Sequence, residues 1–221
     1  MDGTIATFNL DYKTLRAEVR GYLLNIGVPA SVLSVNENIF EMLKKAELFM
    51  NNVGKLDSFE EIRIGVMGIA EKFELEAAAQ TSLLPGVVET LKALKKMGLK
   101  IGLCTINSRK STESILKRFK ASEYFDVITP REKAKLVKPN PEHCQASLDE
   151  LKVSSEETIV VGDSVADMKG ARELKTIAVG LSTGVSTKDQ LIHEGANYII
   201  TSIIDLPSLI ESINKIQNEP I

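Results

Sequence analysis

The sequence predicts an α/β protein: a parallel sheet wrapped by helices on both faces, with a small all-helical insertion near its start. Three observations predict it. From Gly86 onward, apolar runs of strand length alternate with segments of helical periodicity, which is the pattern of a parallel sheet with crossover helices. Residues 12–81 carry almost no strand signal. Finally, an acidic turn stands at each end of the chain, Asp2-Gly3-Thr4 and Gly162-Asp163-Ser164-Val165-Ala166-Asp167, as if one site were assembled by the fold.

In the insertion, Leu15, Val19, Tyr22 and Leu23 mark one helix, and Ile39, Met42, Leu43 and Ala46 a second. A third runs from Ser58 to Gln80, with Ser58 and Glu61 at capping-box spacing. Leu83-Leu84-Pro85-Gly86 re-enters the main domain. The expected division is therefore a core of residues 1–11 and 82–221 around a helical segment of 12–81. Val87, Val88, Leu91, Leu94 and Met97 recur at helical spacing, and Gly98 stops the helix. Lys100 to Thr105 and Phe125 to Ile128 read as strands, separated by a helix carrying Ile115, Leu116 and Phe119. Cys144, Leu148 and Leu151 mark the next helix. Thr158 to Val161, Thr176 to Leu181 and Tyr198 to Thr201 complete the strands, and a helix from Leu206 to Ile216 ends the pattern.

The chain of 221 residues has 43% hydrophobic and 26% charged residues and a net charge of −3. This balance is ordinary for a globular protein and argues against a nucleic-acid partner, which would require a strongly basic face. No apolar run reaches the roughly 18 residues of a membrane span, and two cysteines make no disulfide framework. A cytoplasmic protein, monomer or homodimer, is expected.

In a parallel sheet the ligand lies beyond the carboxyl ends of the strands. Thr105, Asp163 and the segment around Lys138 are thereby expected on one rim. Asp163 and Asp167 follow a buried-type strand, four residues apart, and suit a shared hard cation such as magnesium, which takes oxygen ligands. Asn107 and Ser108 follow Thr105 as hydrogen-bond donors, and Pro139 and Pro141 fix the backbone just after Lys138 in Lys138-Pro-Asn-Pro. Singly, each has a plain alternative: a helix cap for Thr105, a solvated turn for the acidic hexapeptide, a solvated lysine for Lys138. His143 and His193 lack metal-ligand spacing and are expected at the surface or in the insertion; Cys104 is expected as a packed strand residue.

Taken in order, these segments resemble the haloacid dehalogenase-like hydrolase superfamily. Asp2-Gly3-Thr4 is similar to the end of its first motif, Asp-x-Asp-Gly-Thr. Thr105 resembles the hydroxyl residue of the second, Lys138 the lysine of the third, and Gly162-Asp163-Ser164-x-x-Asp167 the fourth. Leu84-Pro85-Gly86-Val87 and the stretch from Val179-Gly180 to Thr183-Gly184 resemble phosphoglycolate phosphatase-type members. The resemblance implies a Rossmann-like core with a helical cap and a magnesium-dependent phosphatase acting on a small phosphorylated metabolite. An aspartate would attack phosphorus, Asp2 would act as acid and base, and Thr105, Asn107 and Lys138 would hold phosphoryl oxygens. Asp163, Asp2 and Asp167 would serve the metal, Asp167 through the ion itself or through Lys138. The resemblance also admits a phosphomutase or a non-catalytic binding protein.

One part of the pattern is not supplied. The attacking aspartate would stand one residue before Met1, and the apolar strand that delivers it would come earlier still. The expectation is that the first core strand and the nucleophile belong to a gene product that starts upstream of Met1.

Overall fold

The computed structural model describes residues 1–7 and 9–218, without the side chains of Ser58, Gln217 and Asn218. The hydroxyl of the Ser58 capping box therefore lies outside the described residues. The chain divides into two compact units: Asn9–Gln80, and Met1–Phe8 together with Thr81–Ile221.

The first unit is helical: α1 (Tyr12–Asn25), α2 (Ile39–Asn52) and α3 (Phe59–Gln80). Local capping starts the first two. The Asp11 carboxylate accepts the Thr14 N–H, and the Asn38 side chain accepts those of Phe40 and Glu41, satisfying donors that a helix start leaves unpaired. Their apolar faces meet in a core of Leu15, Val19 and Leu23 against Met42, Ala46, Met50, Ile62, Val66 and Ala70.

The second unit runs α4 (Val87–Lys96), β1 (Gly102–Cys104), α5 (Arg109–Arg118), β2 (Val127–Thr129), α6 (Pro141–Leu151), β3 (Ile159–Gly162), α7 (Val165–Leu174), β4 (Ile177–Leu181), α8 (Lys188–His193), β5 (Tyr198–Ile200) and α9 (Leu206–Asn218). The pairings between these strands among the described residues are all parallel. Met168, Ala171, Ala178 and Leu191 pack α7, β4 and α8 together, with Val160 and Ile199 against them. Helix α8 was not anticipated from periodicity, since six residues are too few to show it. Its signal is the capping box of Thr187 and Gln190.

The strands form two sheets, β1-β2 and β3-β4-β5, where the sequence pattern predicted one. The reason is local: among the described residues no strand pairs with both β1 and β3. The segment beside them is a turn, with the N–H groups of Thr4, Ile5 and Ala6 converging on the Met1 carbonyl at 3.2, 2.9 and 3.1 Å. No helix among the described residues is long and apolar enough to cross a membrane.

Candidate active site

Two strand ends and two turns build the site. β1 delivers Thr105 and β3 delivers Asp163, each one residue past the last paired position. The Asp2-Gly3-Thr4 turn lies directly against Asp163: the Thr4 hydroxyl donates to Asp163 Oδ1 at 2.8 Å. Gly3 has φ of +71°, a conformation that strains any residue with a Cβ. A Cβ there would also fall inside the Asp163 carboxylate. The two acidic turns, 159 positions apart, are thus one structure.

Asp2 meets the second strand end. Its Oδ2 accepts from Asn107 Nδ2 at 2.9 Å, and the Asn107 N–H donates to Thr105 Oγ1 at 3.2 Å. The Asn107 amide, expected to point at phosphate, is turned onto Asp2. Both Thr105 and Asn107 are buried.

Lys138 is half-buried and paired rather than solvated. Its ammonium donates to Asp167 Oδ1 at 2.7 Å and to the Cys104 carbonyl at 3.0 Å. The Asp167 carboxylate also accepts the hydroxyl and N–H of Ser164 through Oδ2, at 2.6 and 3.2 Å, which closes the capping box of α7. His143, expected at a surface position, is fully buried in α6. Its Nδ1 accepts the Lys138 N–H at 3.4 Å, and Nε2 lies 3.4 Å from the Pro130 carbonyl. Those neighbours assign the proton to Nε2 and let the ring brace the backbone that carries Lys138.

Charge in this site is unevenly balanced. Burial works against the charged form of Asp167, but the Lys138 ammonium outweighs it and holds the carboxyl below its ordinary value. Lys138 is raised in turn: burial opposes its charge and Asp167 prevails. Asp163 moves the other way, pushed up by burial and by the negative charge of Asp167. Asp167 has Lys138 as its cation, whereas Asp163 accepts from neutral donors, the Thr4 hydroxyl and the Val185 N–H, so a further cation would be stabilised beside it. The described residues contain no cluster of three or more His, Cys, Asp or Glu side chains able to cage a metal. The donor set instead suits magnesium as it is usually held, by one or two carboxylates with water and substrate oxygens.

The loop after β4 ties both acidic turns together. The Thr183 hydroxyl donates to the Gly3 carbonyl at 2.5 Å, and the Val185 N–H donates to Asp163 Oδ2 at 3.2 Å. A Cβ at Gly184 would collide with Asp163. The motif reading assigned no role to Thr4, Ser164, Thr183 or the Val185 amide. Thr183-Gly184 was visible only as part of a resemblance. For a catalytic role of Asp2, read in a version that supplies the attacking aspartate, Thr183→Val is expected to lower kcat about 10–100-fold through a misplaced Asp2, with KM little changed and Thr183→Ser close to the parent. Equal losses in both variants would show that the hydroxyl does not set the turn.

Comparison with known proteins follows the same lines. Residues 36–180, more than half of the chain, match the family described as haloacid dehalogenase-like hydrolase. A pyrophosphatase PpaX from Bacillus mycoides (strain KBAB4) is 34% identical over 128 residues, which cover 58% of this chain and 60% of that protein. The chain thus spans less than two thirds of that relative's length. A putative haloacid dehalogenase-like hydrolase from Bacteroides fragilis superimposes with a TM-score of 0.65 at 26% identity, over 93% of this chain and 96% of the other. A putative phosphoglycolate phosphatase from Lactobacillus plantarum shares the fold with a TM-score of 0.64 at 19% identity, over 95% of each chain. Parallel strands flanked by helices, two acidic turns joined at the strand ends and a match over most of the length lead to one assignment: the chain belongs to the haloacid dehalogenase-like hydrolases.

Proposed function

We propose that this chain carries the phosphate-handling site of a magnesium-dependent phosphatase acting on a small phosphate monoester through an aspartyl-phosphate. The observation that carries the reading is the meeting of Asp2, Asn107, Thr105, Lys138, Asp167 and Asp163 around two strand ends. The core of 1–11 and 82–221, the cap of 12–81, a cytoplasmic location and a monomeric or homodimeric state belong to the same proposal.

Each residue has a part its surroundings favour. Asp2, oriented by Asn107, protonates the leaving oxygen and then takes a proton from the incoming water. Lys138 has three N–H donors; two face Asp167 and the Cys104 carbonyl, and the third serves a phosphoryl oxygen. Thr105 Oγ1 accepts from the Asn107 backbone N–H, which leaves its O–H to donate to a second phosphoryl oxygen. Fixed donors aimed at spreading negative charge supply most of phosphoryl-transfer catalysis. Asp163 and Asp2 would hold magnesium, whose charge offsets that of the phosphoryl group.

The attacking aspartate would stand two residues before Asp2, outside the 221 residues. The test therefore uses this chain and a version extended upstream by an apolar strand ending in aspartate. Both are assayed with magnesium on p-nitrophenyl phosphate, phosphoglycolate and inorganic pyrophosphate, the last because a 34% identical relative is named a pyrophosphatase. Turnover by the extended version is expected. A folded extended protein inactive on all three would end the proposal.

A further inference from the structure

The two cysteines of the chain lie 40 positions apart, yet their sulfurs approach to 3.8 Å. Cys104 ends β1 immediately before Thr105, and its carbonyl accepts the Lys138 ammonium. Cys144 sits in the first half of α6, the helix that follows the Lys138 loop. Cys144 is buried while Cys104 keeps partial access to solvent. The catalytic reading uses neither thiol, and any bond between them would bridge the backbone on either side of the phosphate-holding lysine.

We propose that Cys104 and Cys144 form a thiol-oxidation site, which a peroxide converts to an intramolecular disulfide that switches off the phosphate site.

Access and reactivity divide between the two sulfurs. The hydrogen bond from Cys144 holds the Cys104 thiol well below its ordinary value against the effect of burial, with the Lys138 charge adding to it. Cys144 moves up, because of the Cys104 contact and its own burial. A thiolate with solvent access beside a protonated thiol is the arrangement of an attacking and a resolving cysteine. The Cys104 thiolate attacks one peroxide oxygen, the O–O bond breaks, and Cys104 sulfenic acid and hydroxide form. The Cys144 thiol gives up its proton, its sulfur attacks the Cys104 sulfur, and the S–O bond breaks with loss of water. Two thiols and one peroxide become one disulfide and two waters, with two electrons passing from sulfur to oxygen.

A disulfide requires its sulfurs at about 2.0 Å, so closure from 3.8 Å turns the Cys104 and Cys144 side chains or shifts the backbone that carries them. Either change acts at Cys104, the neighbour of Thr105 whose carbonyl holds Lys138. In a reducing cell such a bond is transient, as befits a sensor rather than a staple.

The test treats the reduced 221-residue chain with hydrogen peroxide and maps its peptides without reduction. The expected product is a peptide pair cross-linked through Cys104 and Cys144, released by dithiothreitol. In Cys144→Ser, oxidation is expected to stop at Cys104 sulfenic acid, trapped by dimedone. Free thiols after treatment, or disulfides formed only between chains, would overturn the proposal whether or not the protein is a phosphatase. The inhibitory effect rests on the phosphatase reading. There, oxidation of the upstream-extended version should lower its p-nitrophenyl phosphate turnover by about tenfold or more, as a displaced catalytic group does, and dithiothreitol should restore it. Full activity in the cross-linked protein would remove the switch while leaving the oxidation site.

Discussion

Lys138→Met is expected to cost about 3–5 kcal/mol of stability, the usual result of removing one partner of a buried ion pair. Side-chain exposures of 11% for Lys138 and 10% for Asp167 place the pair in that class rather than among surface bridges. Methionine fills a similar volume, so the loss reports the stranded Asp167 charge and not a cavity. Chemical denaturation reads it directly. A drop near the 0–1 kcal/mol of exposed pairs would mean that water reaches Asp167. In the proposed reaction the same variant should lose about 10²–10³ in kcat, since it removes a fixed donor to the phosphoryl group.

The pH dependence of that loss has a definite sign. Asp167 is held below its ordinary 3.8, so its contribution is present above that pH and disappears as acid takes the group through its folded value. Lys138 is raised above its ordinary 10.5, so its contribution is complete below that pH and disappears as base takes the group through its folded value. Parent and Lys138→Met should therefore differ most between these limits. Their denaturation midpoints should converge in strong acid.

Asp163→Asn should separate stability from function. Asp163 is raised above 3.8 by burial and by the Asp167 charge. Its folded-state advantage is thus fully present below 3.8 and is lost as rising pH ionises it in the native protein. The neutral amide escapes that cost. Its oxygen can accept the Val185 N–H, and its NH₂ can donate to the Thr4 hydroxyl, which rotates to accept. Stability near neutral pH should match or exceed that of the parent. In the proposed reaction the upstream-extended version should lose about a hundredfold or more of its magnesium-dependent activity, because an anionic ligand proposed for the metal is gone. A destabilised variant would show that the Asp163 charge is compensated in the fold. Unchanged activation by magnesium would remove Asp163 from the proposed metal site. Gains in stability on neutralising a functional group are familiar where an active site is held in a strained state.

How much of this was legible before the fold was known differs by residue. The helices bearing Val87, Leu91 and Leu94 or Leu15, Val19 and Leu23 were readable because burial follows the 3.6-residue period. The parallel strands were readable because they are continuous apolar runs, buried from Ala178 to Leu181 in β4 and partly buried in β3. Asp163 and Lys138 stood out because a carboxylate past an apolar strand and a lysine followed by two closely spaced prolines are chemically unusual. What those side chains touch was not readable. Nothing local in Asn107 directs its amide to Asp2 over phosphate, and nothing in His143 says that it is fully buried.

Thr183 makes the same point, since its partner Gly3 is 180 positions away. The amino-acid order by itself determined the element types, the parallel class and the short list of chemically capable residues, because periodicity, capping and turn chemistry act over a few residues. Only the tertiary structure decided which of them meet: Thr4 with Asp163, Lys138 with Asp167, Cys104 with Cys144. It also decided that the parallel strands form two sheets. Hydrogen bonds and charge pairs at low dielectric depend on distances of a few ångströms between distant segments, and packing alone sets those distances.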